Sequence, residues 1–462
     1  MSSFFELSPD VKYETYDYKI PVDKSGGFLR VCRTNPVSNP ASLGYNSSSN
    51  TISFLISCSK NMSQYLRSCA FVFKCHAESS VGTFPNNGVD PATVGIDWDP
   101  CCMIKNISFK VNGRADPYIE QYQTSLFPIA NKIRLLTELS RDVLNYSSDM
   151  LYTPCMENGQ DTTTALTTET VARSRTWLTK QYHDGQGNLI NGVIFHSKVL
   201  PLPMLSSFVA SCDAMYEIEK FEVLFEFQAQ SNVLFQLPSN TSQNLFIIDS
   251  IECLYTEVSN QLFQEQLQTM RRVGGDKVQR IAYLYPDIIE LQYVRNMTLQ
   301  KSTAKNVQSV VLAFSATTSS ATSINPYQFV RNGIVQINSK YGASIVPLRP
   351  IELDPVNPAT ANEIYYYYKL LQKKSAIENF VPAIDFYRGY CGNWGSTVKE
   401  NYHLYCLPFT STDIFRKMDE GTIYINTVQS PTNSADQIPC YVLAWTAKFM
   451  QINTDGSISV IS

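Results

Sequence analysis

Apolar and polar positions alternate along much of the chain, and this pattern predicts that strands dominate the fold. Between residues 221 and 228 every second side chain is Phe or Val, as expected for a strand with one buried and one wetter face. The segment Leu245 to Val258 is apolar on both faces, so it is expected in the middle of a sheet or under a neighbour. Residues 441 to 449 alternate again near the end of the chain.

Two predicted strands lie beside an Asn-Gly pair. Ile107, Phe109 and Val111 alternate with polar residues and run directly into Asn112-Gly113. In the second half, Asn332-Gly333 comes just before an alternating segment that contains Val335 and Ile337. Because Asn and Gly tolerate the positive φ of tight turns, both pairs predict a turn at a strand end.

Helix signals are few. Asp116 before Pro117 supplies an N-cap and a first-turn proline, and apolar residues at helical spacing follow, so a helix is predicted from Tyr118 to Leu139. Pro128 is expected to split or kink this helix. A second helix is predicted after the capping box Thr360-Ala361-Asn362-Glu363, and a short linker helix is predicted from Gln261 to Arg272.

One short phrase occurs twice and indicates an internal duplication. Phe195-His196-Ser197-Lys198-Val199-Leu200-Pro201 returns as Tyr402-His403-Leu404-Tyr405-Cys406-Leu407-Pro408, with an offset of 403 − 196 = 207 residues. Around each copy the predicted elements follow the same order: a strand near Asn-Gly, one helix, the His strand and two long strands. Two similar all-β halves describe a building block better than an enzyme.

Length and composition support two large domains with extensive contacts. A chain of 462 residues exceeds what one hydrophobic core usually serves. We therefore predict an N-terminal arm (1–30), a first domain (31–258), a linker (259–285) and a second domain (286–462). Charged residues make up only 17% of the chain against about 25% in average globular proteins, which predicts large buried surfaces, some of them between subunits.

The polar stretches 76–100 and 140–190 are expected to be long loops, and loops of this length are usually functional or protruding. The N-terminal arm has no clear period, so it is expected to order only against neighbours.

Charge and segment content exclude several classes of protein. A net charge of −4 without a Lys/Arg run argues against direct nucleic-acid binding. The first residues lack the basic and apolar regions of a secretory signal, so synthesis in the host cytosol is expected. No stretch approaches 18 apolar residues, which predicts no transmembrane segment. The twelve cysteines form no Cys-x-x-Cys pair and are expected to be reduced, buried residues.

The histidines are the first candidates for chemistry. His196 and His403 could form matched catalytic or metal sites, but neither has a second ligand two residues away on the same strand face. We interpret them as equivalent structural positions of a duplicated domain. His76 and His183 add no visible three-ligand set.

Other candidate sites have a plainer reading as well. Asp97-Trp98-Asp99 combines two carboxylates with an aromatic ring, as in sites for sugars or cations, but a turn before the next strand is favoured. Gly185-Gln186-Gly187 and Gly274-Gly275-Asp276 lack the context of a dinucleotide loop and are predicted to be turns. Tyr365 to Tyr368 could stack bases, although packing at a subunit contact explains four consecutive tyrosines better. We predict no catalytic, cofactor-binding or metal-binding residue, no cofactor and no enzymatic activity.

With these features together, the chain resembles the double jelly-roll major capsid proteins of tailless icosahedral DNA viruses, the group that includes adenovirus hexon and the capsid proteins of virophages, polinton-like viruses and large eukaryotic DNA viruses. The resemblance rests on Ile107 to Gly113, the helix after it, Phe195-His196-Ser197, and the paired strands 216 to 230 and 244 to 257. It implies an all-β fold of two tandem eight-stranded jelly rolls, each with a short helix in a connecting loop.

The resemblance also implies a function. Three copies of such a chain form a pseudo-hexagonal capsomer, whose six jelly rolls stand with their strands roughly perpendicular to an icosahedral shell. Its partners would be itself as a homotrimer, neighbouring capsomers, and minor capsid or penton proteins, and its location would be the virion. By analogy, the helices would lie near the capsomer base and the 140–190 loop at the outer surface.

Two other functions remain open from the sequence. One is a carbohydrate-binding β-sandwich protein, motivated by the aromatic content and Asp97-Trp98-Asp99. The other is a minor capsid, penton or spike protein of the same viruses.

Overall fold

The fold is a tandem of two antiparallel β-sandwiches joined at a small helical layer. A computed structural model describes residues 29–34, 43–44, 51–58, 62–79, 94–96, 103–111, 120–121, 126–137, 180–183, 189–212, 216, 218, 220–228, 234–236, 244–259, 265, 279–303, 307–315, 329–330, 332–341, 344–353, 363–367, 404–408, 421–430, 438–452 and 458–461.

The first half contributes twelve strands and three short helices among these residues. The strands are β1 (Leu29–Thr34), β2 (Leu43–Gly44), β3 (Thr51–Ser57), β4 (Met62–Ser79), β5 (Val94–Ile96), β6 (Ile104–Val111), β7 (Glu120–Gln121), β8 (Lys180–His183), β9 (Leu189–Pro201), β10 (Lys220–Phe227), β11 (Leu234–Gln236) and β12 (Asn244–Ser259). The helices are α1 (Phe127–Thr137), α2 (Leu202–Leu205) and α3 (Ser207–Ser211).

The described residues of the second half contribute ten strands and a helical segment at residues 363–367. The strands are β13 (Gln279–Tyr293), β14 (Thr298–Thr303), β15 (Val307–Ser315), β16 (Phe329–Val330), β17 (Ile334–Tyr341), β18 (Ser344–Glu352), β19 (Tyr405–Pro408), β20 (Gly421–Gln429), β21 (Ile438–Ile452) and β22 (Ile458–Ile461).

Each half is a jelly roll, as the order of its strands shows. Eight strands of the first half, taken along the chain and lettered B to I, are β1, β3, β4, β6, β7, β9, β10 and β12. They form one sheet in the order β1-β12-β4-β9 and another in the order β3-β10-β6-β7, which are B-I-D-G and C-H-E-F. Both sheets are antiparallel.

The second half repeats this order. Its strands B to I are β13, β14, β15, β17, β18, β19, β20 and β21, and they form the sheets β13-β21-β15-β19 and β14-β20-β17-β18, again B-I-D-G and C-H-E-F. The predicted fold of two tandem jelly rolls is therefore confirmed.

The described parts of the two copies of the His phrase lie on equivalent strands. In the first half Leu200 of β9 pairs with Phe71 of β4, and in the second half Leu407 of β19 pairs with Val310 of β15. In letters, strand G lies beside strand D each time. The sequence repeat therefore marks the same structural position in both sandwiches.

Strand periodicity places the cores. β10 alternates between buried and partly exposed side chains, and its inward ring Phe225 lies among Phe54, Phe71, Phe73 and Phe227. These rings come from both sheets, so they fill the space between the sheets of the first sandwich. Edge-on aromatic contacts of this kind add to the free energy of burial.

The first predicted helix needs correction. α1 begins at Phe127 instead of Tyr118, because Glu120 and Gln121 form strand β7 and pair with Phe109 and Ser108 of β6. Pro128 does not split or kink the helix, since it lies in the first turn, where its missing N–H costs no hydrogen bond.

The remaining sequence predictions meet the structure only in part. Residues 363–367 are helical where the capping box predicted a helix, and Glu265 is helical within the predicted linker helix. β13 begins at Gln279, inside the segment predicted as a linker (259–285). Parts of the two predicted loops are strands, namely the end of β4, β5, β8 and the start of β9. The rest of both loops, the Asn112-Gly113 turn and residues 1–28 lie outside the described residues.

Candidate interaction surfaces

The structure describes only some of the residues that the sequence suggested as catalytic or metal-binding candidates. His76 lies in β4 and His196 in the neighbouring strand β9, while His183 ends β8. His403, Asp97-Trp98-Asp99 and both glycine pairs lie outside the described residues. Among the residues that are described, no three His, Cys, Asp or Glu side chains come close enough together to hold a metal ion. The described helices include none that is long and apolar enough to cross a membrane.

The tyrosine run forms a small, mostly packed cluster. Ile364 is fully buried and Tyr366 is exposed, whereas Tyr365 and Tyr367 pack partly against the core. The Tyr367 hydroxyl donates a hydrogen bond of 2.9 Å to Glu363 Oε1. Burial, together with this carboxylate, raises the pKa of Tyr367 to about 12. Tyr365 to Tyr367 therefore differ in burial, while the ring centroids of Tyr366 and Tyr367 lie 5.7 Å apart. Tyr368 lies outside the described residues.

A buried arginine fastens α1 to the connection between β9 and β10. Arg134 is fully buried, and its guanidinium donates hydrogen bonds to the carbonyl oxygens of Met204 (2.7 Å) and Pro203 and to Asn131 Oδ1 (3.2 Å). Hydrogen bonds from a charged donor are about twice as strong as neutral ones. The two carbonyls belong to α2, so Arg134 holds α1 and α2 together.

α3 joins the two sandwiches. Its N-cap Ser206 accepts a hydrogen bond of 3.1 Å from the Val209 N–H, and its Phe208 ring meets Tyr283 of β13 edge-on at 5.4 Å. Both rings are buried. Because β13 is the first strand of the second sandwich, the helical layer of the first half is also the contact between the halves.

In the first sandwich, the outer face of the sheet β3-β10-β6-β7 is charged. Lys105 and Glu226 form an ion pair on this face, and Glu222 lies opposite Lys110 in the register of β10 and β6. Leu55 of β3 is the large apolar side chain with most exposure there, at 40%. Mixed charges on an outward face favour contact with water.

The equivalent face of the second sandwich, formed by β14-β20-β17-β18, differs in chemistry. A hydrogen-bonded row crosses three of its strands: Thr298 Oγ1 donates to Asn426 Oδ1 (3.0 Å), and Asn426 Nδ2 donates to Asn338 Oδ1 (2.8 Å). Tyr424 and Val428 of β20 are exposed on either side of Asn426. This face therefore combines polar and apolar side chains with the exposed charges Lys340 and Glu352.

Side-chain amides join two turns to the end of β20 at one end of the second sandwich. Asn332 and Gly333 both take positive φ, 52° and 60°, as the predicted Asn-Gly turn requires. Gln429 Nε2 donates to the Asn332 carbonyl (2.9 Å), and the Gln429 N–H donates to Asn296 Oδ1 (2.8 Å). Asn296 itself has φ 56° in the turn between β13 and β14. These bonds fix the turns at this end.

Six cysteines in the described part of the chain are free thiols, and five of them are buried. Cys69, Cys212, Cys253, Cys406 and Cys440 are buried, while Cys58 is half-buried. Burial raises the pKa of Cys253 to about 12. It raises the pKa of Cys69 well above its usual value, with a further increase from the neighbouring thiols Cys253, Cys212 and Cys58.

These raised pKa values predict protection from alkylation. Because the thiolate is the reactive form, Cys69 and Cys253 are expected not to react with iodoacetamide at pH 8 in the folded protein. Cys58, which is half-buried, is expected to react first among these six cysteines. Peptide mass mapping after timed labelling, with and without urea, checks this. Labelling of Cys69 at the rate of Cys58 in the folded protein would contradict it.

Comparisons with known proteins identify the fold. A chain of the Sputnik virophage, solved by cryo-EM, matches with a TM-score of 0.58 and 11% identity, over 100% of this chain and 93% of that one. The crystal structure of the mavirus major capsid protein matches with a TM-score of 0.50 and 11% identity, over 100% of this chain and 96% of that one. No protein-family profile and no curated sequence matches. The chain therefore has the double jelly-roll fold, which it shares along its whole length with the mavirus major capsid protein and the Sputnik virophage chain.

Proposed function

We propose that this chain is a major capsid protein that assembles as a homotrimeric, pseudo-hexagonal capsomer and tiles an icosahedral shell. The observation that carries the proposal is the repeated strand order: both halves form B-I-D-G and C-H-E-F sheets within one chain. Two fused, nearly equivalent sandwiches allow a threefold object to occupy a sixfold lattice position. The major capsid protein from mavirus, with the same fold over the same length, supports this role.

The contact between the halves supports the proposal further. A capsomer edge stays regular only if the two sandwiches of each chain keep one relative orientation. The Phe208–Tyr283 contact provides such a constraint because it joins α3 of the first half to β13 of the second, and the Arg134 hydrogen bonds hold α1 and α2 of the same helical layer together. We expect this layer to lie at the capsomer base, and the long connections of the first half at the outer surface.

The proposal includes the division of the chain and its surroundings. The proposed units are an N-terminal arm, a first jelly roll from β1 to β12, a linker, and a second jelly roll from β13 to β22. The role is structural and without catalysis. The partners are two further copies, neighbouring capsomers, and minor capsid or penton proteins, and the protein is made in the host cytosol and resides in the virion.

Native mass spectrometry and negative-stain imaging of the purified full chain test this function. We expect a species of three times 52.1 kDa and hexagonal particles with threefold modulation. A monomer at high concentration, with no trimer, would contradict the proposal. In purified particles the protein is expected to dominate the protein gel, whereas scarcity would indicate a vertex or spike protein.

A further inference from the structure

The helical layer of the first half touches the second sandwich at two places. α1 lies beside β6 of the sheet β3-β10-β6-β7 and also beside β13. α3 lies beside β4 of the sheet β1-β12-β4-β9 and also beside β13. One contact would let the second sandwich turn about a point, whereas two contacts at a constant spacing hold it in one orientation. The spacing between α1 and α3 therefore decides the angle between the sandwiches.

α2 lies between these two contacts but cannot hold its shape alone. It is a single helical turn, Leu202–Leu205, and helices this short are not stable in isolation. The last carbonyl groups of a helix have no N–H partner within it, and a buried carbonyl without a donor is costly. Pro203 and Met204 of α2 are buried. The turn therefore requires donors from elsewhere in the chain.

Arg134 of α1 supplies such donors. Its buried guanidinium donates hydrogen bonds to the carbonyl oxygens of Pro203 and Met204, the latter at 2.7 Å and 70 residues further along the chain. A third hydrogen bond, of 3.2 Å, goes to Asn131 Oδ1 on its own helix. Because the guanidinium is planar and rigid, these bonds fix both the distance and the direction between α1 and α2.

Ser206 passes the orientation of α2 on to α3. It is the C-cap of α2 and the N-cap of α3 at the same time. Its N–H donates to the Leu202 carbonyl (3.0 Å), and its Oγ accepts from the Val209 N–H (3.1 Å). A single residue bonded to both helices leaves no loose connection between them. Phe208 of α3 then meets Tyr283 of β13 edge-on at 5.4 Å.

A contribution to stability alone does not account for the arginine at this position. An apolar side chain at residue 134 would pack α1 against α2 without the cost of burying a charge. Apolar contacts have no preferred direction, however, and could not set the angle between the two helices. The directional hydrogen bonds of Arg134 therefore favour a role in positioning.

We propose that Arg134 is a positioning residue that sets the angle between the two sandwiches. It fixes α1 to α2 and, through Ser206, to α3, and so keeps the two contacts on β13 at one spacing. This inference rests on the proposed capsid function and adds to it the residue that gives each chain one shape. Chains with a variable angle would still associate but would not fit one repeated lattice position.

The test measures a distance from one sandwich to the other. p-Acetylphenylalanine replaces the exposed residues Leu55 of β3 and Val428 of β20, and each carries a spin label through an oxime bond, so the cysteines stay unlabelled. Dilution with unlabelled chains restricts double electron–electron resonance to distances within one chain. We expect one narrow distance when Arg134 is present. In Arg134→Met this distance is expected to be lost and replaced by a broad distribution.

Further variants separate positioning from stability. Phe225→Ala destabilises the first sandwich away from the helical layer and is expected to keep the narrow distance. Arg134→Lys keeps a charged donor but not the planar geometry, so it is expected to fold and still to lose the narrow distance. Phe208→Ala removes the contact at the other end of the same path, and the double variant with Arg134→Met is expected to be no broader than Phe208→Ala alone.

Two results would overturn the inference. One is an unchanged narrow distance in both Arg134→Met and Arg134→Lys, and the other is equal broadening in Phe225→Ala. Thermal unfolding of the same samples shows which variants are folded. Native mass spectrometry tests the proposed function separately: if the unaltered chain forms no trimer, that function fails, while the measured distance still decides whether Arg134 sets the angle.

Discussion

Replacement of Phe225 by Ala is expected to lower the free energy of unfolding of the first sandwich by about 3–5 kcal/mol. Phe225 is fully buried between the sheets. The centroid of its ring lies 4.8 Å from that of Phe71, 5.9 Å from that of Phe227, and 6.1 Å from those of Phe54 and Phe73. Removal of the Phe225 ring leaves a cavity, and the four surrounding rings could fill it only by adopting unfavourable side-chain rotamers. A loss of this size corresponds to a decrease of about 6–20 °C in melting temperature for a domain of this length.

The neighbouring residue on the same strand supplies the control. Leu224 points to the outer face of β10 and is only partly buried, so Leu224→Ala removes a similar side chain without a core cavity. Its expected cost is below about 1 kcal/mol. Differential scanning fluorimetry and urea titration compare the two variants. Similar melting temperatures would show that the aromatic cluster is not the centre of this core.

Replacement of Asp287 by Ala is expected to destabilise the second sandwich by about 3–5 kcal/mol. The Oδ2 atom of Asp287 in β13 forms an ion pair with Lys301 Nζ in β14 at 2.9 Å, and these two strands belong to different sheets. The Lys301 side chain is only 2% exposed, whereas that of Asp287 is 31% exposed. Without Asp287, a buried ammonium group remains with its charge uncompensated, and this is the costly state.

The reverse substitution is expected to cost clearly less. In Lys301→Met the remaining Asp287 carboxylate still reaches water, and the methionine fills the volume of the lysine stem. The double variant Asp287→Ala/Lys301→Met is expected to recover most of the stability lost in Asp287→Ala, because no buried charge remains. Lys340→Met, at an exposed lysine of β17, is the control. Equal losses in the two single variants would contradict this account of the ion pair.

The sequence predicted strands correctly where the local alternation of apolar and polar residues determines the structure. Alternation from Phe221 onward predicted β10, and the run into Val111 predicted the end of β6. The repeated His phrase marked strand G of both halves, because the same packing against strand D selects the same residue types. These local signals, taken in order, were sufficient to predict the tandem jelly rolls.

Features that depend on contacts between residues far apart in the chain could not be predicted from the sequence. Glu120 and Gln121 carry no strand signal and pair only because β6 lies beside them. Nothing in a helix with one arginine indicates that Arg134 is buried, since its carbonyl partners lie about 70 residues further along the chain. Pro347 and Pro350 within an apolar run did carry a usable signal, because prolines mark an edge strand or bulge. The exposure of Leu348, however, depends on the pairing register.

The position of the last long strand of each half governs how the chain folds during synthesis. β12 lies between β1 and β4, and β21 lies between β13 and β15, so a central strand of each sheet is made after the long strands on both sides of it. A ribosome adding about 5–20 residues per second needs about 6–33 s to make the residues between β4 and β12 or between β15 and β21, and the edges of the earlier strands stay unpaired during that time. Contacts so remote in sequence also form slowly. Nascent chains of this protein are therefore strong candidates for chaperone binding, and their yield is expected to depend on translation speed.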